Sequence, residues 1–253
     1  MSCGLSENEG ISILVAMYNG SRFIVEQLES ILAQIAPEDE LLVLDDQSTD
    51  DSYAIAKAME ARHPGLKVIR SEQNGGVVKT FEALISLATK DIIFLCDQDD
   101  IWIAGRKGQM LAAMRDDLAV AVLANSSIYV DGERVREFFP TGYRPNTSSI
   151  SKNFFKNNFI GCCMAFRREI LTLALPFPDR ISMHDWWLAT CAMSMGKVAY
   201  SERPSLLYRR HSANLSPSTR RKLKAILKDR IGNLLAITVL FRRAARMKIQ
   251  GKI

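Results

Sequence analysis

The first hundred residues alternate between short apolar runs and apolar residues at helical spacing. Residues 11–17 and 92–96 are continuous apolar runs, which indicates strands buried on both faces of a sheet. Shorter runs at residues 40–46 and 66–70 predict two further strands, and each of the first three strands is followed by a helical pattern. This β-α alternation predicts an α/β fold with a mainly parallel sheet flanked by helices.

The second half of the chain has a less regular pattern. Residues 118–130 and 159–166 each predict a strand, and the polar segment 131–151 between them is rich in Gly, Pro and Ser. That segment is either a loop that orders over a substrate or a surface insertion. From residue 218 onward, apolar positions recur at spacings of three, four and seven among many Lys and Arg, which predicts a C-terminal basic amphipathic helix.

The charge of the 253-residue chain is unevenly distributed. The net charge is +5, but residues 201–253 carry 14 Lys/Arg against 2 Asp/Glu, which leaves the remainder at 19 against 26. A basic tail on a mildly acidic body predicts an anionic partner for the tail. We expect an anionic membrane surface; packing on the body and pairing with another subunit in an oligomer are the alternatives. No nucleic-acid partner is expected, because no recognised nucleic-acid-binding pattern accompanies the charge.

The five cysteines form no CxxC pair, and Cys96, Cys162 and Cys163 lie in apolar runs. Buried free thiols of this kind are typical of a reducing compartment. No apolar stretch of the sequence is as long as a membrane span. These features predict a cytoplasmic protein, with peripheral attachment to the inner face of the cell membrane through the tail.

Polar side chains end three of the predicted parallel strands. Tyr18 and Asn19 follow the first, Asp45 and Asp46 end the second, and an acidic run at residues 97–100 follows the strand at 92–96. In open α/β sheets such strand ends share one edge, where ligands bind. Clustered carboxylates suit a divalent cation that holds phosphate oxygens, and a carboxylate and an aromatic ring can recognise a base. A nucleotide site is therefore expected; a solvated acidic turn is the alternative.

Other nucleotide-binding classes are disfavoured. The glycine fingerprint GxGxxG is absent after the first strand, and GxxxxGK[ST] occurs nowhere in the chain, which disfavours NAD enzymes and P-loop NTPases. A metal-dependent nucleotidyltransferase would need a glycine loop for a triphosphate near the N-terminus, and residues 11–20 contain none.

These motifs, in order and spacing, resemble the family 2 glycosyltransferases of the GT-A fold. The matching motifs are Tyr18-Asn19, Asp45-Asp46-x-Ser48-x-Asp50, Asn74-x-Gly76 and Asp97-Gln98-Asp99. The resemblance implies a Rossmann-like GT-A domain over residues 1–217, with a nucleotide-sugar-binding half at 11–117 and an acceptor half at 118–217, followed by the helical tail at 218–253. It also implies a nucleotide-diphospho-sugar donor (a dTDP- or UDP-sugar), a Mn2+ or Mg2+ cofactor, and inversion at the anomeric carbon.

The resemblance also implies which residues form the donor site. The expected donor-binding residues are Ala16, Tyr18, Asn19, Asp46, Gly76, Lys79, Asp97, Gln98, Arg209 and Arg210. The expected metal ligands are Asp97, Asp99 and His211. The segment containing Tyr208, Arg209, His211 and Asn214 resembles rhamnosyltransferase-like members of the family, which favours dTDP-rhamnose; a UDP-hexose donor is the alternative.

A second chemical centre is expected at His184-Asp185-Trp186-Trp187, where a helix begins. The resemblance places the catalytic base at Asp185, and a carboxylate within hydrogen-bond reach can deprotonate a sugar hydroxyl; a helix N-cap is the alternative. Trp186 or Trp187 is expected to stack on an acceptor sugar, and Gly161 to allow close approach of the acceptor unless it is a packing glycine. A nucleotide-sugar-binding module without turnover would need no base. The expected reaction is sugar transfer to a glycan or lipid-linked glycan acceptor in bacterial surface polysaccharide synthesis.

Overall fold

The computed structural model describes residues 10–116, 118–211 and 223–249. The first part contains β1 (Ile11–Met17), α1 (Ile24–Leu32), β2 (Glu40–Asp45), α2 (Ser52–Glu60), β3 (Leu66–Arg70), α3 (Gly76–Leu87) and β4 (Ile92–Asp97). The second contains β5 (Ile101–Trp102), α4 (Arg106–Ala113), β6 (Ala119–Ala124), β7 (Ser127–Val130), β8 (Glu133–Glu137), α5 (Ile150–Phe155), β9 (Met164–Arg167), α6 (Leu171–Ala174), α7 (His184–Met195), β10 (Lys197–Ser201), β11 (Leu206–Arg209) and α8 (Leu223–Ile249).

The central sheet has seven strands in the order β10-β6-β9-β4-β1-β2-β3. β4, β1, β2 and β3 are parallel to one another, whereas β9 runs antiparallel to both of its neighbours. A smaller sheet contains β5, β11, β7 and β8. The prediction of a mixed, mainly parallel α/β sheet flanked by helices, with a helix at the C-terminal end, is confirmed.

The strand register brings the polar strand ends together. Ala16 of β1 pairs with Asp97 of β4, and Met17 pairs with Asp45 of β2. The preceding residues of β1 and β4 are fully buried, so the apolar runs hold these two strands in the middle of the sheet. The acidic residues therefore meet at one edge, as expected from the parallel order.

Two segments of the second half differ from the sequence-based expectation. Within residues 159–166, Gly161–Cys163 form a 3-10 turn and only the last three residues belong to β9. Residues 131–151 are not a single loop, because β8 forms a hairpin with β7 and α5 begins at Ile150. The hairpin turns at Asp131-Gly132, both with positive φ, which is the two-residue turn that suits the twist of paired strands.

The helix α8 packs one face against the α/β domain formed by the preceding elements. Its buried residues are Gly232, Asn233, Ala236 and Leu240. Asn233 accepts a hydrogen bond from the backbone N–H of Ser182, and the guanidinium of Arg243 donates to the carbonyl oxygens of Leu173 and Pro176. Packing on the domain, one of the alternatives for the tail, is therefore observed for this face.

We expect Gly232→Ala to lower the free energy of unfolding by about 1 to 3 kcal/mol, the usual cost of overpacking. A Cβ at this position would overlap the carbonyl oxygen of Arg180, so helix and loop would have to separate. Gly108→Ala in α4 is the matched control, because no atom lies within 4 Å of its Cβ position. Urea titration of both variants measures the difference. Equal stability of the two would contradict the close packing of α8.

Candidate active site

Gln98 holds the loop that follows β1. Its side-chain amide donates to the carbonyl oxygen of Tyr18 and accepts from the Tyr18 N–H, both at 2.8 Å. A side chain at position 20 would overlap Gln98, so this approach requires Gly20. The Tyr18 ring stays 47% exposed at the carboxyl edge of the sheet, where it can pack on a base. Gln98 therefore positions the predicted donor-binding loop.

Asn19 connects the loops after β1 and β2. Its backbone adopts a positive φ of 50°, which Asn tolerates better than most residues. The Asn19 N–H donates to the hydroxyl of Ser48 at 2.9 Å, and the Asn19 side-chain oxygen accepts from the Thr49 N–H at 2.8 Å. The two loops that carry the predicted base-binding residues are thus one hydrogen-bonded unit.

Asp46 caps the N-terminus of α3. Its two carboxylate oxygens accept from the backbone N–H groups of Gly75 and Gly76, each at 2.8 Å, where the helix dipole also favours a negative charge. Gly76 has a φ of +76°, which favours glycine. Lys79 pairs with Glu82 at 2.7 Å on the exposed side of the same helix. Lys79 would have to leave Glu82 to contact the donor as predicted. Breaking an ion pair at the protein surface costs little free energy.

The end of β11 binds the acidic loop after β4. Nε2 of His211 lies 2.7 Å from Oδ2 of Asp99, although the two residues are 112 positions apart. The side chain of Arg209 donates to the carbonyl oxygen of Asp99, and its backbone N–H donates to a carboxylate oxygen of Asp100. Two of the three predicted metal ligands, Asp99 and His211, are therefore adjacent. Asn214, the last residue of the rhamnosyltransferase-like segment, lies outside the described residues.

The guanidinium of Arg209 lies between two aromatic rings, about 5 Å from the centroids of Phe23 and Tyr129. It also forms an ion pair with Glu26 at 2.5 Å. Because its Nε donates to the carbonyl oxygen of Asp99, Arg209 orients the acidic loop, and its contact with the donor stays a prediction. Arg210 contacts the ring of Tyr208 at 5.8 Å and stays the predicted cation for the diphosphate.

Carboxylates are crowded at the end of β4. Ligand atoms of Asp97, Asp100 and Cys162 lie within 4.8 Å of one another. Burial and the charge of Asp99 raise the pKa of Asp97 to about 7, and the same two causes raise the pKa of Asp100 well above its usual value. Within the described ranges, Oδ2 of Asp100 is buried without a hydrogen-bond partner.

This crowding fits a hard divalent cation, which would neutralise the repelling carboxylates. Burial raises the pKa of the Cys162 thiol, so that thiol is a poor ligand at neutral pH. Asp100 is only 1% exposed, whereas Asp97, Asp99 and His211 are partly accessible. Asp97, Asp99 and His211 therefore stay the predicted ligands of a diphosphate-bound cation.

Asp185 lies in the first turn of α7. The N-cap residue of this helix is Met183, so the alternative role of Asp185 as N-cap is not observed. Its Oδ1 accepts from the Trp186 N–H at 2.5 Å and from the side-chain amide of Asn157 at 3.4 Å. Burial raises the pKa of Asp185 to about 6, in spite of these hydrogen bonds. A carboxylate with a pKa near neutrality suits a proton acceptor.

The two tryptophans of α7 are core residues. Trp187 is fully buried and donates its indole N–H to the carbonyl oxygen of Ala174, and Trp186 is 2% exposed. The expectation that one of them stacks on an acceptor sugar is wrong for this structure, because neither offers a ring face to solvent.

Gly161 matches the packing alternative. A Cβ there would lie 2.6 Å from Nε2 of His184, whose buried ring stacks on Phe81 at 4.0 Å. Hydrogen bonding by the Gly161 backbone also lowers the pKa of Asp185, against the larger effect of burial. Gly161 is thus a neighbour of the candidate base. The contact of Gly161 with an acceptor stays a prediction.

Three supporting residues were missed by sequence reasoning: Gln27, Arg106 and Asn157. Gln27 donates to the carbonyl oxygen of Asp97, and a polar residue on the buried face of α1 was a usable signal for it. The buried Arg106 joins the hydroxyl of Ser205 to the carbonyl oxygen of Cys162, each at 2.6 Å. Nothing in the local pattern distinguishes Arg106 or Asn157 from a surface residue.

The mixed, mainly parallel sheet with its acidic carboxyl edge places the fold in the GT-A class. The sequence profile described as "Glycosyl transferase family 2" matches residues 12–173, and the chain belongs to this family. A similar curated protein is the dTDP-rhamnosyl transferase RfbG of Shigella flexneri, 28% identical over 79% of this chain and 72% of that protein. The chain spans only 59% of a Mycobacterium tuberculosis relative that is also 28% identical.

Solved structures share the fold at lower identity. S. aureus TarS 1-349 in complex with UDP-GlcNAc has a TM-score of 0.67 and 18% identity, covering 94% of this chain and 72% of that one. The mannosyltransferase PcManGT of Pyrobaculum calidifontis, in complex with GDP-Man and Mn2+, has a TM-score of 0.60 and 18% identity over 98% and 77% of the two chains. These likenesses establish the GT-A fold.

Proposed function

We propose that this chain is an inverting, metal-dependent glycosyltransferase that moves a sugar from a nucleotide-diphospho-sugar to a hydroxyl of a glycan or lipid-linked glycan. The observation that carries this proposal is the position of a buried carboxyl group beside the acidic edge. The charge of Asp185 is close enough to raise the pKa of Asp97. The candidate base and the phosphate-side cluster thus lie within electrostatic range of each other.

The proposed reaction is a single displacement. Asp185 accepts the proton of the acceptor hydroxyl as that oxygen forms a bond to the anomeric carbon. The bond from the anomeric carbon to the diphosphate oxygen breaks on the opposite face, which inverts the configuration and releases a nucleoside diphosphate. A divalent cation held by Asp97, Asp99 and His211 would stabilise the negative charge of the leaving group. Arg210 adds a positive charge on that side.

The donor side recognises the nucleotide. Tyr18 offers an exposed ring, and Asp46, whose N–H donates to the carbonyl oxygen of Met17, the residue before Tyr18, has lone pairs beyond the two used by Gly75 and Gly76. Structural neighbours carry UDP-GlcNAc, UDP or GDP-Man. The relation to a dTDP-rhamnosyl transferase and the segment from Tyr208 to His211 favour dTDP-rhamnose, and a UDP-hexose is the second candidate. A relative named for succinoglycan biosynthesis supports a role in surface polysaccharide synthesis.

We expect dTDP-rhamnose with Mn2+ to raise the melting temperature more than UDP-glucose, UDP-GlcNAc or GDP-mannose. A ligand at about 100 times its Kd adds about 2.7 kcal/mol, which corresponds to roughly 5 to 10 °C for a domain of this size. Thermal-shift assays with each donor, and with dTDP and rhamnose separately as controls, measure this. If a UDP-hexose gives the larger shift, the donor is a UDP-hexose and not dTDP-rhamnose. The absence of a shift with every nucleotide sugar overturns the proposed function.

A further inference from the structure

Opposite its buried face, α8 carries a row of exposed apolar side chains, here called the α8 stripe. It consists of Leu223, Leu227, Ile231, Leu234, Phe241 and Ile249. Their spacings of four, four, three, seven and eight keep them on one side of a helix with 3.6 residues per turn. Each is 51% to 86% exposed within the described part of the chain. Six large apolar side chains in a row are far more than the scattered exposure that is ordinary for a surface.

The short helix α5 extends this apolar surface. Phe155 is 72% exposed, and its carbonyl oxygen accepts from Arg230 of α8 at 2.5 Å. A groove of about 350 Å³ between the two helices is lined by apolar side chains that include Phe154, Leu234 and Phe241. The apolar surface is therefore continuous across two elements.

Cations border the α8 stripe on both sides. Helical geometry places Lys224 and Arg242 next to it on one side, and Arg230 and Lys248 on the other. Over its whole length α8 contains seven Lys or Arg and one acidic residue, Asp229. An apolar row with cations on both sides complements a partner whose surface carries negative charges and whose interior, just below that surface, is apolar.

We propose that the α8 stripe docks on the surface of an anionic lipid bilayer, with the apolar side chains below the headgroups and the cations against the phosphates. A second copy of this chain is the less suitable occupant, because pairing two such faces would oppose two sets of cations. Among the described residues, no helix is both long and apolar enough to cross a bilayer. The proposed contact is therefore interfacial.

The helix that carries the α8 stripe packs, through its opposite face, on the segment that leads to the candidate base. α8 contacts the segment that leads into α7, through Gly232 against Arg180 and Asn233 against Ser182. Asp185 follows three residues after Ser182. If the proposed function holds, docking would keep the part of the chain that carries Asp185 close to the bilayer in which the lipid part of an acceptor lies. The docking itself does not depend on that function.

Vesicle co-sedimentation of the full chain tests the proposal. We expect binding to phosphatidylcholine vesicles that contain about one quarter phosphatidylglycerol, and at least tenfold weaker binding to phosphatidylcholine alone. Binding to the anionic vesicles should weaken as salt rises, because charges at a surface are screened. Equal binding to the two vesicle types, or no binding to either, overturns the proposal.

Two double variants separate the apolar and the charged contributions. Leu234→Gln with Phe241→Gln should weaken binding about tenfold or more, since both side chains would lose their apolar contact. Arg242→Gln with Lys248→Gln should weaken it roughly 25-fold at low salt, about fivefold for each cation. All four side chains are exposed, so the fold should be kept.

Matched controls are Val135→Gln on β8, which is 61% exposed, and the double variant Arg62→Gln with Lys67→Gln far from α8. These should bind as the unchanged chain does, and all variants should keep the same thermal shift with the donor. If the α8 variants bind vesicles normally, the proposal is wrong. Sedimentation equilibrium without lipid tests the other occupant. If the unchanged chain is a dimer that does not bind vesicles, and the Leu234/Phe241 double variant is a monomer, the α8 stripe binds a second copy of the chain.

Discussion

Asp185→Asn is expected to lower the rate of sugar transfer by a factor on the order of 10² to 10⁴, which is the usual contribution of a general base. Asn keeps the size of the side chain and can still accept from the Trp186 N–H, but it lacks the negative charge that makes the group basic. Donor affinity should change little, because the donor is expected to bind through Tyr18, Asp46 and the cluster at Asp97. A transfer assay and donor calorimetry measure the two quantities separately.

Asp179→Asn is the matched control, because Asp179 is an exposed acid on the segment that leads into α7. It should transfer at the normal rate. Near-normal transfer by Asp185→Asn would reject the assignment of the base. Loss of donor binding with an unchanged melting temperature would instead place Asp185 on the donor side.

The same assignment determines the pH dependence. Burial raises the pKa of Asp185 to about 6, and only the ionised carboxylate can accept the proton. The value of kcat/KM should therefore fall as pH drops through about 6 and reach a plateau above it. The Asp185→Asn variant should lose that limb of the profile. Persistence of the limb in the variant would assign the titration to another group.

Asp99→Ala is expected to remove the Mn2+-dependent part of donor binding, a loss on the order of a hundredfold in affinity, because a cation bridge contributes several kcal/mol. The fold should persist, since the charge of Asp99 raises the pKa of Asp97 and its removal relieves repulsion. Calorimetric titration of the donor with and without Mn2+, and of Mn2+ alone, measures the effect.

Asp91→Ala is the control for this variant, because Asp91 precedes the same strand at the opposite edge of the sheet and its side chain is 87% exposed. It should bind the donor and Mn2+ normally. Unchanged Mn2+-dependent affinity in Asp99→Ala would exclude Asp99 as a ligand. His211 would then need another role, because Asp99 is its partner in this structure.

Local patterns were enough to predict the sheet and its functional edge. An apolar run such as Ile11–Met17 is compatible with few positions other than the middle of a parallel sheet. Once the strands are parallel, the chain direction alone places Tyr18, Asp46 and Asp97 at the same edge. That part of the candidate site follows from the sequence, because it depends on the order of the elements and not on individual contacts.

Contacts between distant residues depended on tertiary packing. The pairing of Asp99 with His211 and the support of Asp185 by Asn157 join segments whose separation the local pattern does not encode. The contacts of Arg209 are a further example, since its partner Glu26 lies in α1 and Phe23 directly precedes that helix. A residue type indicates which chemistry is possible, but only the neighbours decide which atoms are already in use.

The sequence by itself determined the class of fold, the acidic strand ends and the presence of a basic amphipathic helix, because periodicity and composition are local properties. Tertiary structure decided which faces are buried. Residues 184–192 of α7 are all buried by its neighbours, so both tryptophans became core residues. In α8 the small residues Gly232 and Ala236 allow close packing that also buries Leu240, and the side chains of the α8 stripe are left on the outside.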